Sequence, residues 1–310
     1  MSVHNGERWL KESVDSVLLT NDINFEFIII NDGSTDNTSL ILKSYNDDRM
    51  IIINQENIGL TKSLNIGLGI AKGKYIARID ADDICLPIRF EVQKKFMEEN
   101  PDIALSGSDA IIIDERGYKV GHAKYPTSHT ILANRLYNFK SVFPHSSIFY
   151  RKDIIMKEGS YNENFFRSQD YDLYLRLSRK YKIASIDKPL LKLRLNFSGP
   201  TYSDDNQLLF GLMALISHYR RERGLEDYSN NNNNNWESFK SRVYEWSSNN
   251  NIDKLHKFRR DLRICRSLLK RNIFLKPIKF AINNLIKNPN YFFKRNLINK
   301  IPLDFECFLK

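Results

Sequence analysis

Phe25-Glu26-Phe27-Ile28-Ile29-Ile30-Asn31-Asp32-Gly33-Ser34 is a short apolar, β-branched run that breaks abruptly into polar turn residues. Such a run marks a strand buried on both faces, and its ending delivers a polar loop at the strand's C-terminal end. Gly33 permits a tight turn, and Ser34, Thr35 or Asp36 can cap a following helix. Outward from this stretch, Met50 to Ile53 and Tyr75 to Ile79 read as further strands. Trp9-Leu10, Val14 and Val17-Leu18 recur at helical spacing, as do Leu60, Leu64 and Leu68. Strand alternating with helix over residues 1 to about 110 predicts an α/β fold, a Rossmann-like, mostly parallel sheet flanked by helices. Open sheets of this kind bind their ligands beyond the C-terminal ends of the strands.

From about Asp109 to Thr201 the pattern loosens into short strands (Ser147 to Tyr150, Ile183 to Ile186, Leu190 to Leu193) and a helix opening near Gln169. We read it as the second half of one domain over 1–204. Residues 205–310 read as a basic, mainly helical C-terminal region, interrupted by the low-complexity stretch 229–235, whose consecutive asparagines cannot build a core and mark a loop.

The bulk numbers agree with an ordinary globular chain: 310 residues, 42% hydrophobic and 27% charged. The net charge of +10 is uneven. From Asp205 to Lys310, 20 basic side chains face 10 acidic ones, whereas residues 1–204 carry 27 of each. Such a tail reads either as a solvated helical face or as a surface for anionic lipid or nucleic acid, and peripheral contact with an anionic membrane through residues 254–300 is the expectation drawn from it. Cys85, Cys265 and Cys307 are far apart with no CxxC pair, which suggests a reducing compartment and no structural zinc. Without a long apolar run or a signal-like start, the expected place is the cytoplasm, with the inner face of the cell membrane as a peripheral site.

The strongest local signal is Tyr75-Ile76-Ala77-Arg78-Ile79-Asp80-Ala81-Asp82-Asp83, a strand ending in three carboxylates within four positions. Anions so close repel one another unless a cation or hydroxyl donors offset them, and Mn2+ or Mg2+ favours such oxygen ligands. An exposed acidic turn, or a helix N-cap before Pro87, is the alternative reading.

Met1-Ser2-Val3-His4-Asn5-Gly6-Glu7, Asn31-Asp32-Gly33-Ser34-Thr35-Asp36, Asn57-Ile58-Gly59-Leu60, Asn65-Ile66-Gly67, Ala71-Lys72-Gly73-Lys74-Tyr75-Ile76, Asp80-Ala81-Asp82-Asp83 and Ser168-Gln169-Asp170-Tyr171-Asp172-Leu173 follow in order. In this the chain resembles family 2 glycosyltransferases from Met1 to about Thr201. The resemblance implies a GT-A fold, an inverting mechanism and a nucleoside diphosphate sugar donor, with UDP the expected carrier. It divides the domain into a donor half, about 1–110, and an acceptor half, about 110–204.

It also implies site residues: Val3, Asn5, Glu7 and Asp32 for the base, and Asn57, Gly59 and Lys62 along the nucleotide pocket. Asp80 falls on the ribose, Asp82 on the metal at the diphosphate, and Asp170 on the general base. The acceptor is expected to be a glycan or lipid-linked molecule in bacterial surface polysaccharide synthesis, and nucleic acid is not expected as a partner. Gln169 and His145 are expected on the acceptor side, where His145 reads equally as a packed loop residue.

The sequence departs from the family pattern in two places. Arg194-Leu195-Asn196 carries asparagine where relatives commonly have histidine, leaving Asn196, His145 or water for a third metal position. Met1 falls where relatives are already well into the first strand, so either an upstream start or a short, less stable central strand is expected. The alternative functions are a nucleotidylyltransferase, though His4-Asn5-Gly6-Glu7-Arg8 lacks the glycine-rich basic loop that enzyme would show, and a non-catalytic binding protein using the basic tail.

Overall fold

The structure, a computed structural model, describes residues 1–20, 24–196, 206–230 and 235–249. The chain divides into two compact units, Met1–Leu195 and Asn196–Lys310.

The first unit carries two sheets. β1 (Ser2–Val3), β2 (Phe27–Asp32) and β3 (Met50–Gln55) run parallel in the order β1-β2-β3, with Ser2 opposite Ile30 and Phe27 opposite Met50. Parallel neighbours need crossovers, which α1 (Leu10–Leu18) and α2 (Thr38–Lys43) supply, and α3 (Leu60–Ile70) leaves β3. Leu10, Val14 and Val17 fall on one face of α1 and are buried in one cluster with Val3, Phe27 and Ile29. Burial of that apolar face, rather than helix propensity, holds α1 in place.

The second sheet contains β4 (Tyr75–Ala77), β5 (Ile84–Cys85), β6 (Ile103–Ile113), β7 (Lys119–Ala123), β8 (Phe149–Arg151) and β9 (Lys182–Arg194). Its order is β4-β8-β6-β9-β5, with β7 beside β6. Only β6 and β9 pair in parallel. The α/β architecture is therefore all parallel in the first sheet and mixed in the second. Four more helices complete the unit: α4 (Arg89–Glu99), α5 (His129–Tyr137), α6 (Lys152–Lys157) and α7 (Gln169–Lys180). A cavity of about 650 Å³ lies between β2 and β4, lined by Met1, Ile28, Leu64, Leu68, Tyr75 and Ile79 among others.

The two strands expected over Ile183 to Ile186 and Leu190 to Leu193 are one strand, β9. Asp187 and Lys188 are exposed at an irregularity in its pairing with β6 near Asp109, so the apolar pattern breaks at a bulge through which the strand continues. The strand expected from Ser147 starts only at Phe149, because His145–Ser147 winds into a 3-10 turn whose Ser147 Oγ donates to the Pro144 carbonyl at 2.8 Å. β6, the longest strand after β9, was not anticipated.

In the second unit α8 (Asn206–Glu222) is buried over most of its length and α9 (Trp236–Asn249) meets it through aromatic contacts, Phe210 to Trp236 at 6.3 Å between ring centroids. The basic cluster within 254–300, Cys265, Cys307 and most of the asparagine run lie outside the described residues. Among the described residues, no helix is long and apolar enough to cross a membrane.

Candidate active site

The loops after β1, β2 and β3 meet at the C-terminal end of the parallel sheet. Asn5, held at φ 53° in the left-handed region where asparagine is tolerated, accepts from the Thr35 N–H at 2.8 Å through Oδ1. Glu7 Oε2 accepts from Asn37 N at 3.0 Å and Asn37 Nδ2 at 2.8 Å, while Glu7 N donates to Asp36 Oδ2 at 3.0 Å. These bonds stitch the first loop to the second. Asp36 also accepts from Thr38 N, the first residue of α2, although the helix's N-cap position is Asn37 and makes no side-chain cap.

Asp32 is buried and braces the third loop. Its Oδ1 accepts from Gln55 Nε2 at 2.8 Å and Ile58 N at 2.9 Å, and its Oδ2 from Gly59 N at 2.9 Å. Burial opposes ionisation, but the donors Ile58, Gln55, Ser63 and Gly59 outweigh it and hold the carboxyl below its ordinary value. Gly59 starts α3 at φ 93°, a conformation costly for any side chain but glycine. Asn57 and Lys62 are exposed, and so is His4, whose ring nitrogens lie 3.0 and 3.3 Å from Asn57 Nδ2. Val3 is buried in the core, so only its main chain is available to a ligand.

The acidic turn is fastened from several directions. Asp80 N donates to Ser146 Oγ at 2.7 Å, and Ser13 Oγ of α1 donates to the Asp80 carbonyl at 3.0 Å. Arg78, 5% exposed, grips both Asp80 oxygens with Nη1 and Nη2. Arg194 N donates to Asp83 Oδ1 at 2.8 Å, and Arg194 Nε to the Asp82 carbonyl at 2.8 Å. Burial first, then the charges of Asp82 and Asp80, push the Asp83 carboxyl well above its ordinary value.

One oxygen from each of Asp80, Asp82 and Asp83 lies within 4.8 Å of the others. An all-oxygen donor set fits Mn2+ or Mg2+. The turn is nevertheless not three uncompensated anions. Arg78 offsets Asp80, and Asp83 is turned into the protein, while Asp82 is partly exposed at the same place.

Asp170 opens α7 beside this turn. It is half-buried, and its Oδ1 accepts from Tyr171 N at 2.8 Å. Burial raises its carboxyl above the ordinary value, against the Tyr171 N–H and the positive charge of Arg78, and Asp80 adds to the rise. Asp170, Arg78 and Asp80 are thus within electrostatic reach of one another. His145 lies alongside: its Nε2 is 2.8 Å from the Tyr161 hydroxyl, its ring meets Tyr161 and Tyr174 edge-on, and burial followed by Arg78 pushes it well below its ordinary pKa. It is a neutral, packed imidazole. Gln169 is buried. Asp172 is fully buried against Arg176 at 2.8 Å, and Arg176 also donates to the carbonyls of Glu158 and Ser160. That pair makes Asp172 part of the packing of α7.

Arg78, Arg194, Ser13, Ser146 and His4 were not singled out from the sequence. Arg78 stood in view two residues before Asp80, and an arginine inside an otherwise apolar strand is the one signal that could have marked it.

Residues 1–159 match the family described as Glycosyl transferase family 2. The chain belongs to that family. Relatives agree: an uncharacterized glycosyltransferase of Methanocaldococcus jannaschii, MJ1057, is 36% identical over 223 residues, covering 70% of this chain and 77% of that one. The O-antigen biosynthesis glycosyltransferase WbnJ of Escherichia coli is 36% identical, covering 57% of this chain and 69% of its own length. The amylovoran biosynthesis glycosyltransferase AmsE of Erwinia amylovora is 37% identical over 47% of this chain and 54% of its own. Among solved structures, S. aureus TarS 1–349 in complex with UDP-GlcNAc aligns with a TM-score of 0.56 at 17% identity, over 92% of this chain and 78% of that one. At that identity the likeness speaks for the fold, GT-A. The protein is a family 2 glycosyltransferase enzyme, which sets aside both the nucleotidylyltransferase and the non-catalytic reading.

Proposed function

We propose that the enzyme transfers a sugar from a UDP-sugar to a hydroxyl of a glycan or lipid-linked acceptor, with inversion, during assembly of a surface polysaccharide. The observation that carries this reading is the placing of Asp170 within electrostatic reach of Arg78 and the acidic turn. An acid–base group thus stands beside a diphosphate-binding end. The TarS complex with UDP-GlcNAc supports the carrier, and the O-antigen and amylovoran relatives support the acceptor class.

The loops of Asn5, Glu7 and Asp32 shape the nucleotide pocket, and exposed Asn57, Lys62 and the main chain of Val3 and Gly59 line it. Asp80 receives the ribose, in the orientation that Arg78 sets. Asp82 would hold Mn2+ or Mg2+, which when bound supplies Lewis-acid stabilisation of the leaving diphosphate. Asp170 takes the proton of the acceptor hydroxyl as its oxygen bonds to the anomeric carbon, while the carbon–oxygen bond to the diphosphate breaks and its electron pair leaves with UDP. A raised pKa suits this role. Gln169 and His145 support the acceptor side as packed neighbours of that base.

The test is a thermal-shift panel of UDP-, GDP- and dTDP-sugars with and without Mn2+, since a bound ligand raises the melting temperature with its occupancy. Stabilisation by UDP-sugars only when Mn2+ is present is expected. Equal response to all carriers, or none to UDP-sugars, would overturn the assignment of the donor.

A further inference from the structure

Arg194 ends β9 with a side chain only 1% exposed. Its Nη2 pairs with Glu12 of α1 at 2.5 Å, its Nη1 donates to the carbonyls of Asp114 at 3.2 Å and Glu115 at 3.3 Å beyond β6, and its guanidinium lies 5.5 Å from the centre of the Trp9 ring. Its Nε donates to the Asp82 carbonyl, and its backbone N–H to the Asp83 carboxylate.

A buried arginine at such a junction would ordinarily be read as packing. What distinguishes this one is where its last two bonds fall. The Asp82 carbonyl belongs to the peptide that joins Asp82 to Asp83, so a donor on it restrains ψ of Asp82 and with it the direction of that side chain. Asp80 is already pinned by Ser13 and Ser146 on one side of the turn. On the other side the Asp82–Asp83 peptide is held at both ends, its N–H on the Asp80 carbonyl at 3.3 Å and its carbonyl, more tightly, by Arg194 at 2.8 Å.

We propose that Arg194 is a positioning residue for Asp82, fixing the peptide after it so that the carboxylate is aimed at the donor's metal–diphosphate. This rests on the reading of Asp82 as the metal-holding carboxylate. Lysine cannot replace the arginine, because a single ammonium centre cannot span Asp82, Glu12 and the Asp114–Glu115 carbonyls with the reach of a planar fork. Groups that orient a metal's ligands are worth about ten- to a hundredfold in metal affinity.

The experiment measures Mn2+ affinity in the presence of UDP, from the free-Mn2+ paramagnetic resonance signal, for the full chain and for Arg194→Lys, Glu12→Gln and Asp82→Asn. Arg194→Lys is expected to bind Mn2+ about ten- to a hundredfold more weakly. Its kcat should return towards normal at saturating Mn2+, so the defect appears in apparent affinity. Glu12→Gln loosens the same junction without touching the Asp82 peptide and should keep wild-type Mn2+ affinity. Arg194→Gln gives the same ordering where lysine is not accommodated, and methylguanidinium added to Arg194→Ala should restore part of the loss. Wild-type Mn2+ affinity in both Arg194→Lys and Arg194→Gln, or an equal loss in Glu12→Gln, would overturn the proposal. Undiminished Mn2+ binding by Asp82→Asn would overturn the reading beneath it instead.

Discussion

Where β2 meets α1 the buried face is apolar, Phe27 and Ile29 under Leu10, Val14 and Val17, whereas around β6 and β8 the buried set includes Arg89, Gln93, Ser106, Ser108, Asp109, Ser146 and Ser147. The polar members of the second set are bonded to one another and to strand ends. Arg89 Nη2 donates to the Arg78 carbonyl at 2.7 Å, and Gln93 Nε2 to the Ser147 carbonyl at 2.7 Å. The first region is held by apolar area, which tolerates change where there is space. The second is held by directional bonds, whose partners are exposed to full desolvation penalties if one is removed. The acidic turn hangs on both, through Ser13 of α1 and through Ser146.

If that contrast is right, the largest single effect should be catalytic. Asp170→Asn should lower turnover by roughly a hundredfold to ten-thousandfold, the usual worth of a general base, while calorimetry finds UDP and Mn2+ binding unchanged. The acid limb of kcat should also vanish in the variant. A base must be ionised, so wild-type activity is lost as pH falls through the Asp170 pKa, which burial places above the ordinary aspartate value. Near-normal turnover in Asp170→Asn would send the search for the base elsewhere.

Asp172→Asn tests the structural side. Removing one partner of a buried ion pair costs on the order of 3 kcal/mol, so chemical denaturation should show a large loss of stability with turnover per folded molecule close to normal. A catalytic defect larger than the stability defect would reverse the roles given to Asp170 and Asp172.

Two glycines sharpen the contrast further. At Gly107 in β6 an added Cβ would lie 2.2 Å from Phe143 Cγ, and Phe143 is buried against Tyr174. Gly107→Ala should therefore cost about 1–3 kcal/mol or more through overpacking. At Gly67 in α3, beside the cavity, the nearest atom to a Cβ would be Ile30 Cγ1 at 3.9 Å. Gly67→Ala should raise stability by up to about 1 kcal/mol through helix propensity. Melting curves in which Gly107→Ala is silent or Gly67→Ala is destabilising would erase the difference between the regions.

The same difference explains what could be read without coordinates. β2 and β3 announce themselves as unbroken apolar runs that end in polar residues before Gly33 and Gly59, and α1 and α3 by apolar residues at period 3.6. β6 does not, since Ser106, Gly107, Ser108 and Asp109 fill its middle, and their burial depends on bonds to chain segments far away. The acidic turn was legible as three carboxylates. Its fastening by Arg194 was not, because Arg194 lies 112 positions from the Asp82 carbonyl it reaches. Asp32 shows the opposite case: a residue visible by type and place, whose carboxylate serves three loop donors of its own.

The parallel partnership of β6 and β9 also sets a timetable. Ile103 pairs opposite Lys182, so a ribosome must add about 70 residues after β6 before its partner exists. At about 5–20 residues per second this is roughly 3–14 s during which one long edge of β6 has no strand to bond. β7 and β8, which come sooner, pair with its opposite edge at Ala110 to Ile113 and Leu105 to Ser106. A nascent chain in that interval carries an unpaired strand edge open to its neighbours, and its yield on synthesis should depend on chaperone supply more than the melting temperature of the finished protein would suggest.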